Sequence, residues 1–217
     1  NTLVNSESSA GKSYICKRVI NIFPKHLYEY RTKISPEAFT YWKAKDPNWT
    51  WDGKICYLED VSQALLDSDT FKVMCSEGSQ ATIVRNQTAI DILINGKPTM
   101  LVTTASTNPN NEVLNRFSSI TLDESQSQTE NILKEQSKKA EFGETLEYDP
   151  QITKALSYLQ RINIKIPYAS KIYKHFLNSS TKSLRLRRDY GRFLSLIQSS
   201  CALHQYQREF ESNGDFF

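Results

Sequence analysis

Short apolar segments alternate with helical patterns along the first part of the chain. Continuous apolar runs of four to six residues are typical of strands that are covered on both faces of a parallel sheet. The predicted strands are residues 2–5, 27–30, 54–58, 100–103 and 118–122. The helices predicted between them are residues 14–23, a helix capped by Ser35-Pro36, and residues 61–75. This alternation predicts a three-layer α/β domain with a mainly parallel sheet.

A hairpin pattern interrupts the alternation before the strand at 100–103. Residues 81–84 and 88–94 flank a turn at Arg85-Asn86-Gln87 and alternate between apolar and polar types. Beyond Ser125 the periodicity is helical, and the predicted helices are residues 126–140, 151–161, 167–178 and 184–208. We therefore expect a sheet-containing core over 1–135 and an all-α region over 136–217, whose C-terminal part could resemble a winged helix.

Composition narrows the class of protein. The chain is 39% hydrophobic and 11% aromatic, which excludes a disordered chain, and no apolar run is long enough for a membrane span. The four cysteines lack zinc-ligand spacing, so we expect reduced thiols in a cytoplasmic setting. No targeting signal follows Asn1. Because a native chain normally begins with Met, we expect this sequence to be a fragment or a processed chain with a further, upstream part.

Charge is distributed unevenly along the chain, although the net charge is only +3. Residues 151–217 carry an excess of Lys and Arg, whereas residues 1–150 carry an excess of Asp and Glu. A basic C-terminal third suggests a surface that faces a polyanion. A solvated helical face is the alternative explanation, and charge alone does not separate the two.

Three tryptophans, Trp42, Trp49 and Trp51, lie near turn signals. Their rings could stack on nucleic-acid bases. Tryptophans close to turns more often pack into a small satellite core, and we favour that role here.

A phosphate-binding motif lies between the first predicted strand and the first predicted helix. Residues 6–13 end in the Gly-Lys-Ser of a G-x-x-x-x-G-K-S loop, although Ser6 replaces its first glycine. In such loops backbone N–H groups cradle the phosphates, the lysine reaches the β- and γ-phosphates, and the serine hydroxyl holds Mg²⁺. A serine-rich helix cap is the alternative. The residues predicted to bind nucleotide are Ser8, Ser9, Ala10, Gly11, Lys12 and Ser13.

Two acidic residues, Glu59 and Asp60, follow the buried strand at 54–58. Nucleoside triphosphatases place acids at the end of a neighbouring strand, one for hydrated Mg²⁺ and one that orients the attacking water. The simplest assignment gives the metal to Glu59, together with Ser13, and the water to Asp60. A register shifted by one residue would make Glu59 the catalytic acid. Two exposed acids at the start of a helix are the non-catalytic alternative.

Two polar features follow later in the chain. The strand at 100–103 ends in small polar residues, one of which could lie between the phosphate loop and the acids. Arg116 comes just before the strand at 118–122. A lone arginine is usually a surface residue, but in a ring-shaped ATPase it becomes a finger that stabilises the transition state in the neighbouring subunit.

The order of these elements resembles that of AAA+ ATPases. It is most similar to minichromosome maintenance helicases and to the helicase domains of primase-helicase proteins from archaea, plasmids and viruses. The resemblance implies a three-layer P-loop NTPase core of AAA+ type over 1–135, with a parallel sheet and a pre-sensor-1 β-hairpin, followed by an all-α lid over 136–217.

The same resemblance implies roles for individual residues. Thr107-Asn108-Pro109 is similar to the sensor 1 ending of these families, which nominates Asn108, with Thr104 as second choice. Arg116 matches their arginine finger, and Arg188 matches the sensor 2 arginine that begins a lid helix.

The resemblance also implies partners. Such families form hexameric rings around single-stranded or forked DNA, with the hairpin pointing into the channel. Arg85 would then contact phosphate, and Asn86 and Gln87 would add hydrogen bonds, although an ordinary exposed turn remains the alternative. Only one basic residue at the tip is a weak electrostatic contact, which six subunits would multiply.

The expected function is therefore an ATP-dependent DNA helicase or translocase motor, with ATP and Mg²⁺ as cofactors. It would act in replication, in a prokaryotic or viral setting, as a homo-hexamer with a linked primase or N-terminal domain and without a membrane. The alternatives are an AAA+ loader or initiator ATPase and a degenerate ATPase that serves as a DNA-binding scaffold.

Overall fold

The structure is a computed structural model that describes residues 1–42, 46–105, 111–143, 149–179 and 186–208. The chain forms two compact units, Asn1–Thr153 and Lys154–Phe217. The strands are β1 (Thr2–Asn5), β2 (Tyr28–Arg31), β3 (Ile55–Leu58), β4 (Ser79–Arg85), β5 (Thr88–Ile94), β6 (Thr99–Thr104) and β7 (Ser118–Ile120). The α-helices are α1 (Lys12–Asn21), α2 (Gln63–Asp67), α3 (Asp69–Ser76), α4 (Asn111–Leu114), α5 (Gln126–Phe142), α6 (Pro150–Ser157), α7 (Ala169–Ser179) and α8 (Leu186–Leu203).

Five strands of the first unit form a parallel sheet in the order β2-β3-β6-β1-β7. β6 lies between β1 and β3, and its residue Leu101 is opposite both Thr2 and Tyr57. Because all five strands run in one direction, the carboxyl ends of β1, β3 and β6 meet at the same edge of the sheet. Ligands bind at that edge in open α/β sheets.

Alternate residues of the central strands point into two separate cores. On one face, Val4 and Tyr57 pack against Cys16 and Ile20 of α1. The opposite face packs against α2, α3 and the segment before β7, and its buried residues include Leu3, Cys56, Leu58, Leu66, Phe71, Met74, Met100, Val102 and Phe117. Burial on both faces explains the continuous apolar runs in the sequence. The predicted α/β class with a mainly parallel sheet is confirmed.

The single helix predicted over 61–75 is wrong, because two short helices, α2 and α3, occupy this segment. Ser68 has an extended backbone conformation, with φ −69° and ψ 137°, and its hydroxyl accepts a hydrogen bond from the N–H of Phe71. It therefore ends α2 and caps α3. The helix predicted to begin at Ser35-Pro36 is only a 3-10 turn, Pro36–Phe39.

The three tryptophans pack against one another, as predicted. The ring centroid of Trp51 lies 4.8 Å from that of Trp42 and 5.3 Å from that of Trp49. Phe39 joins the cluster at 6.2 Å from Trp51, and both of these side chains are fully buried. The cluster extends the core beside α3.

β4 and β5 form a separate antiparallel hairpin between α3 and β6, in which Arg85 pairs with Thr88. The two turn residues, Asn86 and Gln87, have φ values of 50° and 61°, which is the type I′ geometry that matches the twist of hairpin strands. At the base of the hairpin Gly96 has a φ of 76°, and a Cβ atom there would lie 2.4 Å from the backbone nitrogen of Asp52. Glycine is therefore required at this position.

α5 follows β7 and is bounded by clear caps. The hydroxyl of Ser125 accepts a hydrogen bond from the N–H of Gln128, and Gly143 ends the helix with a φ of 68°. None of the residues of α5 is buried.

In the second unit, α7 and α8 pack through aromatic side chains. The ring of Phe176 lies 5.2 Å from that of Tyr190 and 6.0 Å from that of Phe193, and the hydroxyl of Tyr190 donates to the carbonyl of Ala169. These contacts account for the aromatic residues that recur at helical spacing in the sequences of α7 and α8.

All four cysteines are buried, and none of them is in a disulfide. Burial raises the pKa of Cys16 to about 11 and that of Cys75 to about 12, so both thiols are protonated at neutral pH. Across the described residues, no helix combines the length and the apolarity needed to cross a membrane.

Candidate functional site

A cleft of about 690 Å³ opens at the carboxyl ends of β1, β3 and β6. Its walls come from the loop after β1, the start of α1, the acids after β3 and the end of β6. The residues that line it are Ser8, Ser9, Gly11, Lys12, Ser13, Tyr14, Thr32, Glu59, Asp60 and Thr103. Residues far apart in the sequence thus meet because the parallel strands that carry them end side by side.

The loop from Ser6 to Gly11 turns the chain from β1 into α1. Ser9 and Gly11 have φ values of 70° and 87°, and the N–H of Ala10 donates to the carbonyl of Glu7. No side chain caps the N-terminus of α1. The first turn of this helix therefore keeps N–H groups that can bind an anion, and its dipole favours negative charge at the same point.

Lys12 is almost fully buried at the start of α1. Its ammonium lies 2.6 Å from the carbonyl oxygen of Ser6 and 2.6 Å from that of Glu7. An ammonium has three N–H donors, so these two bonds satisfy part of its capacity and hold it inside the loop. A phosphate oxygen in the loop would be a suitable acceptor for the rest.

Ser6, which replaces the first glycine of the motif, is buried and hydrogen-bonded. Its hydroxyl accepts from the N–H of Leu122 at 2.8 Å, just after β7. The N–H of the next residue, Glu7, donates to the carboxylate of Glu124 at 2.8 Å. The serine therefore ties the loop to the segment after β7 instead of disrupting it.

Glu59 is the most heavily bonded acid of the cleft. The ammonium of Lys17 lies 3.0 Å from Oε1, and the hydroxyl of Tyr30 donates to Oε2. Partial burial acts to raise the pKa of Glu59, but the polar groups of Ser13, Tyr30 and Lys17 nearby together outweigh burial and hold it below its usual value. Glu59 is therefore ionised at neutral pH.

The contacts with Glu59 also shift the pKa values of its two partners, Lys17 and Tyr30. The hydrogen bond to Glu59 raises the pKa of Lys17 and also that of Tyr30. The lysine thus remains an ammonium and the tyrosine a neutral phenol, which are the protonation states that donate to a carboxylate.

Asp60 has a different environment although it is the next residue. Its backbone has a φ of 49°, and its N–H donates to the hydroxyl of Thr103 on β6 at 2.8 Å. The carbonyl of Thr103 accepts from the N–H of Val61 at 2.9 Å. The backbone of Asp60 is thus fixed by β6, while its side chain is exposed in the cleft.

Arg116 lies at the opposite, amino edge of the sheet from the phosphate loop, since β7 begins two residues later and Ser118 pairs with Thr2. Its guanidinium forms an ion pair with Glu112 at 3.0 Å and donates to the hydroxyl of Ser76 at 3.2 Å. It is therefore remote from the cleft of its own chain.

The remaining predicted residues lie elsewhere. Asn108 is outside the described residues, and its second choice, Thr104, is buried and donates to the carbonyl of Val61. Arg188 is in the first turn of α8, in the second unit. The three predicted DNA-contacting residues, Arg85, Asn86 and Gln87, are exposed together at the tip of the hairpin.

Sequence reasoning missed Lys17 and Tyr30, which contact Glu59. The signal for Lys17 was its position four residues after Ser13, on the same face of α1. No sequence motif pointed to Tyr30. Its contact with Glu59 depends on the pairing of β2 with β3, in which Tyr30 is opposite Tyr57.

The donor set at the cleft fits a nucleotide with Mg²⁺. Ser13 and Glu59 both line the cleft, and hydroxyl and carboxylate oxygens are the ligands that Mg²⁺ accepts, directly or through water. Uncapped N–H groups and the ammonium of Lys12 lie beside them and suit a polyphosphate. These residues would hold the metal and the phosphates.

The sheet, the loop and the acids define a P-loop domain of the nucleotide-binding NTPase class. Residues 1–157 match the model of a family described as the MTBMA_p00010 P-loop domain, and the chain belongs to this family. Among curated proteins, no match to the chain was found.

Proposed function

We propose that this chain is an ATP-dependent DNA helicase or translocase motor of AAA+ type that acts in replication as a ring, with 1–135 as its ATPase core and 136–217 as a helical lid. The observation that supports it best is the convergence of Lys12, Ser13, Glu59 and Asp60 on one cleft, with β6 between the strands that carry them. The order of these elements also resembles that of primase-helicase proteins of mobile elements.

In this proposal each residue of the cleft has a separate task. Lys12 and the N–H groups at the start of α1 bind the triphosphate and reduce the charge repulsion that builds up as the γ-phosphoryl group leaves. Ser13 and Glu59 would hold Mg²⁺, which would supply further charge neutralisation at the triphosphate. Asp60 orients the attacking water, and Asn108 is assigned to the γ-phosphate.

Arg116 is assigned to the nucleotide of a neighbouring subunit. Its position at the amino edge of the sheet supports this, because a side chain there cannot reach the phosphate loop of its own chain. Arg188, in α8, is proposed to contact nucleotide from the lid.

The hairpin tip is assigned to DNA. The tip is exposed at the end of two seven-residue strands and consists of Arg85, Asn86 and Gln87. A hairpin of this length suits an element that extends into a central channel. A single cation at each tip gives weak binding per subunit, so the proposed contact depends on several tips acting together.

Steady-state ATP hydrolysis tests the proposal, measured with and without single-stranded DNA at several protein concentrations. We expect hydrolysis that increases with DNA and rises steeply with concentration, because Arg116 acts between subunits. The variant Lys12→Ala should lose it. An assembled hexamer that binds but does not hydrolyse ATP would contradict the motor function and favour the scaffold.

An AAA+ loader or initiator is the second candidate, and the single basic residue at the hairpin tip favours it, since processive translocation needs repeated phosphate contacts. Separation of the strands of a forked duplex distinguishes the two. A helicase unwinds the fork at the expense of ATP, whereas a loader hydrolyses ATP and leaves the duplex paired.

A further inference from the structure

Glu59 receives donors from two residues that lie outside the predicted motifs. Lys17 on α1 approaches Oε1, and Tyr30 on β2 donates to Oε2. Both oxygens of Glu59 are therefore engaged, and only 13% of its side chain is exposed.

The two donors are themselves held in place. The ammonium of Lys17 lies 5.6 Å from the ring centroid of Tyr30, and that ring stacks on Tyr57 at 5.1 Å. Tyr57 is fully buried in the core between α1 and the sheet. The direction of the Tyr30 hydroxyl is thus set by packing against the core, as expected for a group that orients another side chain.

We propose that Lys17 and Tyr30 are positioning residues for Glu59. This inference rests on the proposed ATPase function: the two residues hold the carboxylate beside Ser13, on the magnesium side of the site, and so leave Asp60 to orient the attacking water.

The hydrogen-bond capacity of the two acids explains this division. A carboxylate has about four lone-pair positions, and Lys17 and Tyr30 use one on each oxygen of Glu59, which leaves the others for Mg²⁺ or its bound water. A carboxylate that already accepts from an ammonium and a phenol holds a proton less readily, so Glu59 is poorly suited to take the proton of the attacking water. Among the described residues no side chain donates to the carboxylate of Asp60, which is exposed in the cleft and keeps its lone pairs.

The charge on Lys17 has a second effect. Two adjacent carboxylates repel each other when both are ionised. An ammonium 3.0 Å from Glu59 compensates the charge of that carboxylate and so reduces the repulsion between the two acids.

The decisive measurement is the Mg²⁺ requirement for binding of a fluorescent ATP analogue. Lys17→Gln and Tyr30→Phe should each raise the Mg²⁺ concentration at half-maximal binding about tenfold, as loss of a residue that orients a metal ligand does elsewhere. Binding measured in EDTA should not change, because Lys12 and the loop remain intact.

Two matched controls carry the same chemical changes away from Glu59. Tyr28→Phe removes a hydroxyl two residues earlier on β2, one that donates to the side chain of Asn21 at 3.2 Å. Lys25→Gln removes an exposed ammonium in the turn after α1. Both control variants should leave the Mg²⁺ requirement at the wild-type value. Unfolding curves recorded for every variant check that each one is folded.

A double-mutant cycle tests whether Tyr30 acts through Glu59. Tyr30→Phe should add nothing to the Mg²⁺ requirement of Glu59→Gln, because their effects share one carboxylate. Asp60→Asn should lower the rate of hydrolysis by about 10²–10³ while Mg²⁺-dependent binding stays normal.

The outcomes separate this inference from the function on which it rests. If the wild type binds the analogue and Lys12→Ala does not, the ATP site stands. An unchanged Mg²⁺ requirement in Lys17→Gln and Tyr30→Phe then overturns the positioning role. So would loss of hydrolysis in Glu59→Gln with normal Mg²⁺-dependent binding, since Glu59 would then be the catalytic acid. A wild type that binds no better than Lys12→Ala contradicts the proposed function itself.

Discussion

Ser6 illustrates how a single side chain can replace the property that glycine supplies in a phosphate loop. The loop obtains its left-handed conformations from Ser9 and Gly11, so position 6 does not need a positive φ. The buried hydroxyl instead pairs with the N–H of Leu122, which would otherwise lie partly buried without a partner. The departure from the motif is therefore a structural adaptation of this loop.

Ser6→Ala should lower the free energy of unfolding by about 1–2 kcal/mol, because the N–H of Leu122 loses its acceptor. Ser8→Ala, an exposed change in the same loop, is the matched control and should stay close to the wild type. Urea denaturation of the three proteins measures the difference. Equal midpoints for Ser6→Ala and Ser8→Ala would show that the bond contributes nothing to stability.

The residue types in the sequence pointed to the residues that line the cleft, but they did not predict the bonds among those residues. Gly11-Lys12-Ser13 and Glu59-Asp60 stand out because each follows a short apolar run, and strand ends of a parallel sheet share one edge. The contacts of Lys17 and Tyr30 with Glu59 depend on which strands are neighbours and on the rotation of α1. Neither property can be read from the local pattern of apolar and polar residues.

At the scale of elements, apolar runs predicted the strands because the central sheet is covered on both faces. The same periodicity failed at residues 61–75, since apolar spacing continues through Ser68 while the hydroxyl of that residue caps a new helix. The order of the strands also could not be read from the sequence. The position of β6 between β1 and β3 results from pairing between residues 40 or more positions apart in the sequence. Local periodicity carries no information on such pairing.

The hairpin is the element on which DNA binding depends in the proposed function. Arg85→Ala should weaken binding of single-stranded DNA and reduce the slope of log affinity against log salt, by up to about one per tip engaged. Lys134→Ala, which removes an exposed charge from α5, serves as the control. Fluorescence anisotropy at several salt concentrations provides both numbers. Identical slopes for the two variants would remove the hairpin tip from the DNA-binding surface.

At the scale of the whole molecule, the two edges of the sheet have different chemistry. The carboxyl edge carries the cleft, and the amino edge carries Arg116 with its partners Glu112 and Ser76. A complete catalytic site of the proposed kind would thus need two copies of the chain. Activity then becomes a property of the assembly and depends on protein concentration.

Mixing inactive subunits tests this arrangement. Lys12→Ala and Arg116→Ala should each be inactive, but a mixture should recover hydrolysis, because one variant supplies the cleft and the other the arginine. Thermal unfolding of Arg116→Ala is needed as a control, since the ion pair with Glu112 is also lost. A mixture that stays inactive while both variants assemble would exclude an arginine acting between subunits.

The hydrogen bonds that join Ser6 and Glu7 to Leu122 and Glu124 have a mechanical consequence. A loop that rearranges around its ligand pulls directly on the stretch of backbone that leaves the sheet and enters α5. Each of these bonds joins backbone on one side to a side chain on the other, so the phosphate loop and the start of the path into α5 are fixed to each other at two adjacent points.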